Sequence, residues 1–341
     1  MKLVNTVDAV GHILCHDMTQ IIPGVIKDAR FRKGHIVTEE DIPVLLSIGK
    51  EHLYVWEKQE GMLHEDEAAL RLVGMCQSEG MHQTPVKEGK IELISDIEGL
   101  FQVDVDRLYD VNEFDDLMIA TRHGNTVVHP GDKLAGTRII PLVIDEKVIV
   151  EAEEKVGHEP LLKVYPWKLK TAGIITTGSE VEKGLIKDQF TPVVERKLKT
   201  YGIEVVKHVL SGDEKERIIS NIQEMKKEGI DLIICTGGMS VDPDDRTPGA
   251  ITDCGAKVVT YGAPTLPGAM FCLAYYEDGT PVMGLPGCVM YAKATVFDLI
   301  MPRVAAGIKI SKKDVIKMGH GGLCLGCKEC RYPDCAFGKG V

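Results

Sequence analysis

Two stretches of this sequence have residue types and spacings suited to chemistry. The first is Thr236-Gly237-Gly238-Met239-Ser240-Val241-Asp242-Pro243-Asp244-Asp245-Arg246-Thr247-Pro248. A Gly pair at the end of a strand lets backbone approach a ligand closely, and the carboxylates behind it are dense enough to hold a metal ion. The second is the run Cys324-Leu325-Gly326-Cys327-Lys328-Glu329-Cys330-Arg331-Tyr332-Pro333-Asp334-Cys335. Four thiols spaced C-x-x-C-x-x-C-x-x-x-x-C suit Zn²⁺ or an iron–sulfur cluster. The usual ferredoxin run has three residues before its last Cys and a Pro after it; here there are four, and Pro333 comes earlier, which favours Zn²⁺. His320 could replace one thiolate, and a flexible tail of reduced thiols is the alternative.

The elements that must position the first stretch begin after Trp167. Residues 171–176 read as a strand, followed by Thr177-Gly178-Ser179-Glu180. Phe190, Val193, Val194, Leu198 and Tyr201 recur at helical spacing up to Gly202. A strand over 203–206 follows, then a helix with Asp213 as its N-cap and Ile218, Ile219, Ile222 and Met225 inward. Residues 232–235 form the next strand, 257–260 and 281–285 two more, and a helix from about Cys288 to Ala306 closes the unit. Such alternation predicts a mostly parallel, three-layer α/β/α domain, with ligands at the carboxyl ends of its strands. Three loops there, 177–180, 236–245 and 284–288, carry Gly with acid or Pro.

The N-terminal region is less regular. A strand over 31–37, a helix started by Thr38 with Ile42, Leu45 and Leu46 inward, and a strand over 53–56 make a first segment, 1–60. Segment 61–166 is mixed α/β with a small β module: a helix bearing Ala68, Leu72, Val73 and Cys76, strands over 89–95 and 117–121, and a piece over 103–109 open to either reading. The α/β domain spans 167–306 and a Cys-rich tail 307–341.

Composition narrows the function. A net charge of −11 over 341 residues argues against general nucleic-acid binding. No apolar run is long enough to span a bilayer and no secretory start is evident, so the expected location is the cytoplasm, away from membranes. There, crowded cysteines favour metal over disulfides, and the scattered Cys15, Cys76, Cys235, Cys254, Cys272 and Cys288 read mostly as small core residues. Cys288 stands at a helix start, where a thiolate would be stabilised by the dipole.

Thr177-Gly178-Ser179-Glu180, Asp188, Asp213, the loop from Thr236-Gly237-Gly238 to Asp245, and Gly284-Leu285-Pro286-Gly287 resemble the molybdopterin-binding domain of molybdenum cofactor biosynthesis proteins. The ending Asp245-Arg246-Thr247-Pro248-Gly249-Ala250 is similar to the adenylyltransferase branch; the Leu-Pro-Gly loop and the separate N-terminal region are similar to the molybdotransferase branch. The resemblance covers 168–305 well and 1–56 patchily. It implies that Thr177, Gly178, Ser179, Glu180, Thr236, Gly237, Gly238, Met239, Ser240, Pro286, Gly287 and Cys288 bind molybdopterin or its adenylylated form. It also implies that Asp188, Asp213 and Asp245 are catalytic, with Mg²⁺ held by Asp188 and Asp245 while molybdate replaces AMP. A homodimer follows from the same resemblance, and the tail's basic balance could dock an acidic partner such as a molybdoenzyme client. The chain departs from the pattern at Ser179, at Asp242 in a Gly position, at Cys288-Val289 in place of Asn-Pro, and in lacking the N-terminal signature, of which Pro23-Gly24-Val25 is an echo. These departures favour an alternative, a non-catalytic cofactor carrier; a regulator is disfavoured because no DNA-binding motif occurs.

Overall fold

Every strand foreseen after Trp167 enters one six-stranded sheet. Its spatial order is Glu204–Ser211, Thr171–Thr177, Leu232–Thr236, Pro281–Leu285, Cys272–Tyr275, Lys257–Tyr261. The first four are parallel and the last two antiparallel. This computed structural model describes residues 2–22, 26–55 and 60–340. Trp56 and the Pro23-Gly24-Val25 echo lie outside the described residues.

The central strands are buried along their whole length, as strands covered on both faces must be. One face packs under the helices Thr191–Lys199 and Val296–Ala305, burying Ile174, Ile234, Met283, Val194, Leu198, Phe297 and Ile300. The other packs under Lys215–Lys227 and Thr247–Asp253, burying Ile175, Ile233, Val282, Ile218, Ile222 and Ile251. The three-layer α/β/α architecture is therefore the one the alternation implied. At the amino end of the sheet, Asp231 Oδ2 accepts from Lys170 N (2.8 Å), Thr171 N (2.9 Å) and Thr171 Oγ1 (3.0 Å), tying two strand starts together.

Three details depart from the sequence reading. The Cys272–Tyr275 strand was not foreseen, because its short apolar run lies between a Pro-Gly turn and a charged loop; it returns antiparallel and gives the sheet its mixed side. The helix foreseen from 288 is instead a 3₁₀ turn, Gly287–Met290, a break, and then Val296–Ala305, restarted by Thr295, whose hydroxyl accepts from Phe297 N while Asp298 accepts from Thr295 N. Asp213 does not cap the following helix: Glu214 holds that position and makes no side-chain cap bond.

Two compact units divide the chain: Met1–Asp96, Val103–Arg122 and Pro130–Lys163 in one, and Ile97–Gln102, His123–His129 and Val164–Val341 in the other. Segments 1–60 and 61–166 thus fall mostly in one unit, and the tail in the other. In the first unit the expected strand over 31–37 is a strand Ile26–Phe31 followed by a turn at Lys33-Gly34, where Gly34 adopts φ 86°. Its helix begins at Asp41, whose carboxylate accepts from Thr38 N and Oγ1. Helices Glu65–Cys76 and Val105–Asn112 follow, the second settling the open piece near 103.

The first unit also holds a polar knot. Lys33 Nζ lies 2.5 Å from Asp66 Oδ2 and 2.9 Å from His64 Nδ1. His64 Nδ1 accepts from Asp66 N, so the Nε2–H donates to the Cys15 carbonyl at 2.7 Å. Burial lowers the His64 pKa and keeps the ring neutral. Beside it Glu65 is 7% exposed, and burial, reinforced by the Asp66 charge, pushes its carboxyl up to about 7.

Candidate functional site

The strands Thr171–Thr177, Leu232–Thr236 and Pro281–Leu285 are neighbours and parallel, so the three foreseen loops leave from one edge. The chain after Thr177 leads to a helix on one face and the chain after Thr236 to a helix on the other. The gap between these strands is therefore a topological switch point, the place where open α/β sheets receive ligands.

A set of threonine hydroxyls lines this edge. Thr177 Oγ1 donates to Thr236 O (3.2 Å) and meets Thr247 Oγ1 (3.1 Å), while Thr247 Oγ1 donates to Gly237 O (2.9 Å). Gly237 and Gly238 adopt φ 84° and 55°. A Cβ on Gly237 would stand 2.3 Å from Thr177 O, and one on Gly238 would stand 2.8 Å from Thr247 Oγ1. Both conformation and space demand glycine, and the turn it permits presents backbone groups instead of side chains. Met239 turns away: its side chain is buried against Gly284, leaving only its backbone at the loop, where its carbonyl accepts from Tyr261 Oη at 3.2 Å.

The three carried-over aspartates each hold a loop. Asp188 Oδ1 accepts from Phe190 N (2.7 Å) and Thr191 N (3.1 Å), and its Oδ2 lies 3.1 Å from Thr176 Oγ1 and 3.2 Å from His208 Nε2. A carboxylate offers about four acceptor sites, and here three are filled by hydrogen bonds with His208 beside the fourth. Burial acts to raise its pKa, but the bonds from Thr191, Phe190 and Thr176 outweigh it and hold the carboxyl below its ordinary value. Asp213 Oδ2 accepts from Ser179 N (3.0 Å) and Ser179 Oγ (2.8 Å), fixing the 177–180 loop. Ser179, in a position where the family pattern has Asp, is thus a donor to Asp213, which an acid could not be. Asp245 Oδ2 accepts from Ser240 N (2.7 Å) and buckles the 240–245 loop. Glu180, Asp242 and Asp244 are exposed around this edge.

Pro286 is buried and Gly287 exposed at the third loop. Cys288 is half-buried in the 3₁₀ turn, and burial pushes its thiol up. The dipole-stabilised thiolate foreseen for Cys288 is therefore overturned, since a four-residue turn supplies little dipole and desolvation opposes ionisation. Cys15, Cys76, Cys235, Cys254 and Cys272 are buried, as core thiols. In the tail Cys324 and Cys335 are half-buried and Cys327 and Cys330 exposed. Among the described residues no three His, Cys, Asp or Glu side chains converge on one metal position, so neither ligand set is assembled here.

Sequence reasoning gave no role to Thr176, Thr191 and His208, and named Thr247 only as part of the loop ending. Thr176 Oγ1, Thr191 Oγ1 and His208 Nε2 lie within 3.1 Å of one another beside Asp188. The signal was present as paired threonines at strand ends, but His208 sits in a strand that alternates exposed and half-buried residues and gives no local motif.

A family described as "Probable molybdopterin binding domain" matches residues 173–306. This α/β segment is a domain of that family. Residues 3–57 match a separate family described only as a domain of unknown function. The chain is similar to a CinA-like protein of Mycobacterium sp. (strain JLS), 33% identical over 89 residues, which is 26% of this chain and 21% of that protein. It thus spans about a fifth of the length of such curated relatives. It is also similar to the solved structures of CinA from Thermoplasma acidophilum and of the molybdopterin biosynthesis enzyme MoaB from Thermus thermophilus. Identity to the first is 18% with TM-score 0.33, covering 39% of this chain and 96% of that one. Identity to the second is 21% with TM-score 0.34, covering 41% and 98%. Among the described residues no helix is long and apolar enough to cross a membrane.

Proposed function

We propose that the molybdopterin-binding domain serves molybdenum cofactor biosynthesis by holding the phosphate end of molybdopterin, or the pyrophosphate of its adenylylated form, at the switch point between Thr177 and Thr236. The observation that carries this reading is the Gly237-Gly238 turn, kept open by two positive φ angles and closed to any side chain by Thr177 and Thr247. Backbone N–H groups in such a turn bind anions without Lys or Arg. The surrounding carboxylates would repel a phosphate on their own, so a divalent cation bridging the two is part of the proposal. Asp188 accepts three hydrogen bonds through both oxygens, whereas Asp213 accepts two and Asp245 one, each through one oxygen only. Asp245 is therefore the carboxylate of this set best able to hold Mg²⁺, which when bound supplies charge to phosphate oxygens. Molybdate as co-substrate, AMP as product and a homodimer belong to this reading by resemblance to the molybdotransferase branch.

A second reading is a carrier that binds the pterin and passes it to a molybdoenzyme. The engagement of all three aspartates in holding loops favours it, because loop positioning alone accounts for their presence. One assay separates the two. The full chain is incubated with adenylylated molybdopterin, molybdate and Mg²⁺, and AMP is followed. Release of AMP, lost in Asp245→Ala, supports the transferase; tight pterin binding without AMP supports the carrier; absence of pterin binding sinks both.

A further inference from the structure

The strand Lys257–Tyr261 runs parallel to the central strands, because two antiparallel pairings separate it from Pro281–Leu285. Its last residue, Tyr261, therefore lies at the edge from which the three loops leave. Register places Cys235, Gly284, Cys272 and Tyr261 in one row across four adjacent strands. Neighbouring strands are about 4.8 Å apart, so Tyr261 stands about 14 Å from Cys235 along that row. The residue types in the row explain how the gap is crossed. Gly284 has no side chain and Met239 lies in the space, where a Cβ on Gly284 would stand 2.6 Å from Met239 Sδ. Beyond the small Cys272, the long side chain of Tyr261 reaches back, and its Oη donates to Met239 O at 3.2 Å.

That bond completes a set. Thr236 O accepts from Thr177 Oγ1, Gly237 O from Thr247 Oγ1, Gly238 O from Thr247 N at 3.3 Å, and Met239 O from Tyr261 Oη. Four consecutive carbonyls are thus turned toward the protein. In a planar trans peptide the N–H points opposite to the C=O, so the N–H groups of Gly237, Gly238, Met239 and Ser240 turn the other way. Asp245 Oδ2 takes the last of them at 2.7 Å. Among the described residues, the other three meet no backbone acceptor. The Met239–Ser240 peptide is therefore held at both ends, by Tyr261 at its oxygen and by Asp245 at its N–H, and each bond polarises the other. Met239 is also where fixed backbone stops: it is 4% exposed, and Val241 is 82% exposed.

Resting on the reading of the Gly237-Gly238 turn as a phosphate site, we propose that Tyr261 is a positioning residue of that site: its hydroxyl clamps the Met239–Ser240 peptide and, with Thr247, keeps the N–H groups of Gly238 and Met239 facing one phosphoryl group. Tyr261 touches no ligand and acts through the backbone it holds. The ligand class is a phosphate monoester or a pyrophosphate, since either presents the oxygens that such N–H groups bind.

The test titrates the full chain with inorganic pyrophosphate, and separately with inorganic phosphate, by isothermal calorimetry at fixed Mg²⁺. Tyr261→Phe removes the hydroxyl and keeps the ring. It should bind about five-fold more weakly than wild type, the worth of one hydrogen bond. The loss is expected with whichever anion wild type binds, and tighter pyrophosphate marks the adenylylated form as its source. Thr247→Val should weaken binding likewise, and Thr247→Ser, which keeps a hydroxyl, should restore it. Tyr109→Phe, at an exposed tyrosine of the other unit, should change nothing. With ¹⁵N-methionine labelling, the Met239 amide should shift on saturation in wild type and shift less in Tyr261→Phe. A residue that only supports the fold would lower the melting temperature and leave the affinity unchanged, and that outcome overturns the proposal. So does a Met239 amide indifferent to the bound anion. Wild-type protein that binds neither anion overturns the phosphate reading together with this one, whereas wild-type binding untouched by Tyr261→Phe sinks the Tyr261 assignment alone.

Discussion

Glu65 is a carboxyl held where charge is costly. Its pKa of about 7 lies above the ordinary value of 4.5, so the folded chain keeps the proton when the unfolded chain has lost it. A raised folded pKa contributes stability that is fully present below about pH 4.5 and is lost as pH rises through 7. Burial and Asp66 raise the pKa, with Glu88 adding to them, while Arg138 and Lys33 oppose. The half-buried ring of His16 and the buried ring of His64, whose pKa values are lowered, give stability of the opposite slope, but they are shared by wild type and variant and cancel in a comparison. Glu65→Gln should therefore stabilise the protein, by at most about 3 kcal/mol at pH 8 and by little at pH 4.5. Chemical denaturation at the two pH values checks this; an equal effect at both would refute the burial of a titrating carboxyl.

At the scale of elements, the loops divide into those that need their glycine and those that do not. Gly237 has φ 84° and backs onto Thr177 O, whereas Gly287 has no positive φ and nothing within 4 Å of the position a methyl group would take. Gly237→Ala should cost more than about 1 kcal/mol and abolish pterin binding, while Gly287→Ala leaves stability within about 0.5 kcal/mol. Thermal melts with ligand titration measure both. The α/β elements were legible because long apolar runs and helical spacing share the sequence with clear Gly stops, at Gly202 and Gly229 for instance, both in the left-handed region. Asp213 was misassigned because Asp at the start of a helix looks like its cap, and only folding brings Ser179 within reach from 34 residues away. His208 was missed for the same reason: its neighbours Thr176 and Thr191 come from a different strand and from a helix. Local chemistry is written locally, but a bond across the sheet has no spacing to announce it.

At the scale of the whole molecule, two units with their own cores share one chain. One core centres on residues such as Leu72, buried in Glu65–Cys76, and the other on Ile234 in the central strand. Separate cores predict two calorimetric transitions. Leu72→Ala should lower one and Ile234→Ala the other, each by about 2–4 kcal/mol. A single transition shifted by both would mean that the units unfold together.

The Asp231 carboxylate, bonded to Lys170 and Thr171 at the amino end of the sheet, lies at the end opposite the three loops. Strand register is thereby fixed by groups that no ligand touches. Specificity becomes separable from foldability: a change in the 177–180, 236–245 or 284–288 loops leaves the Asp231 bonds at the far end of the frame untouched.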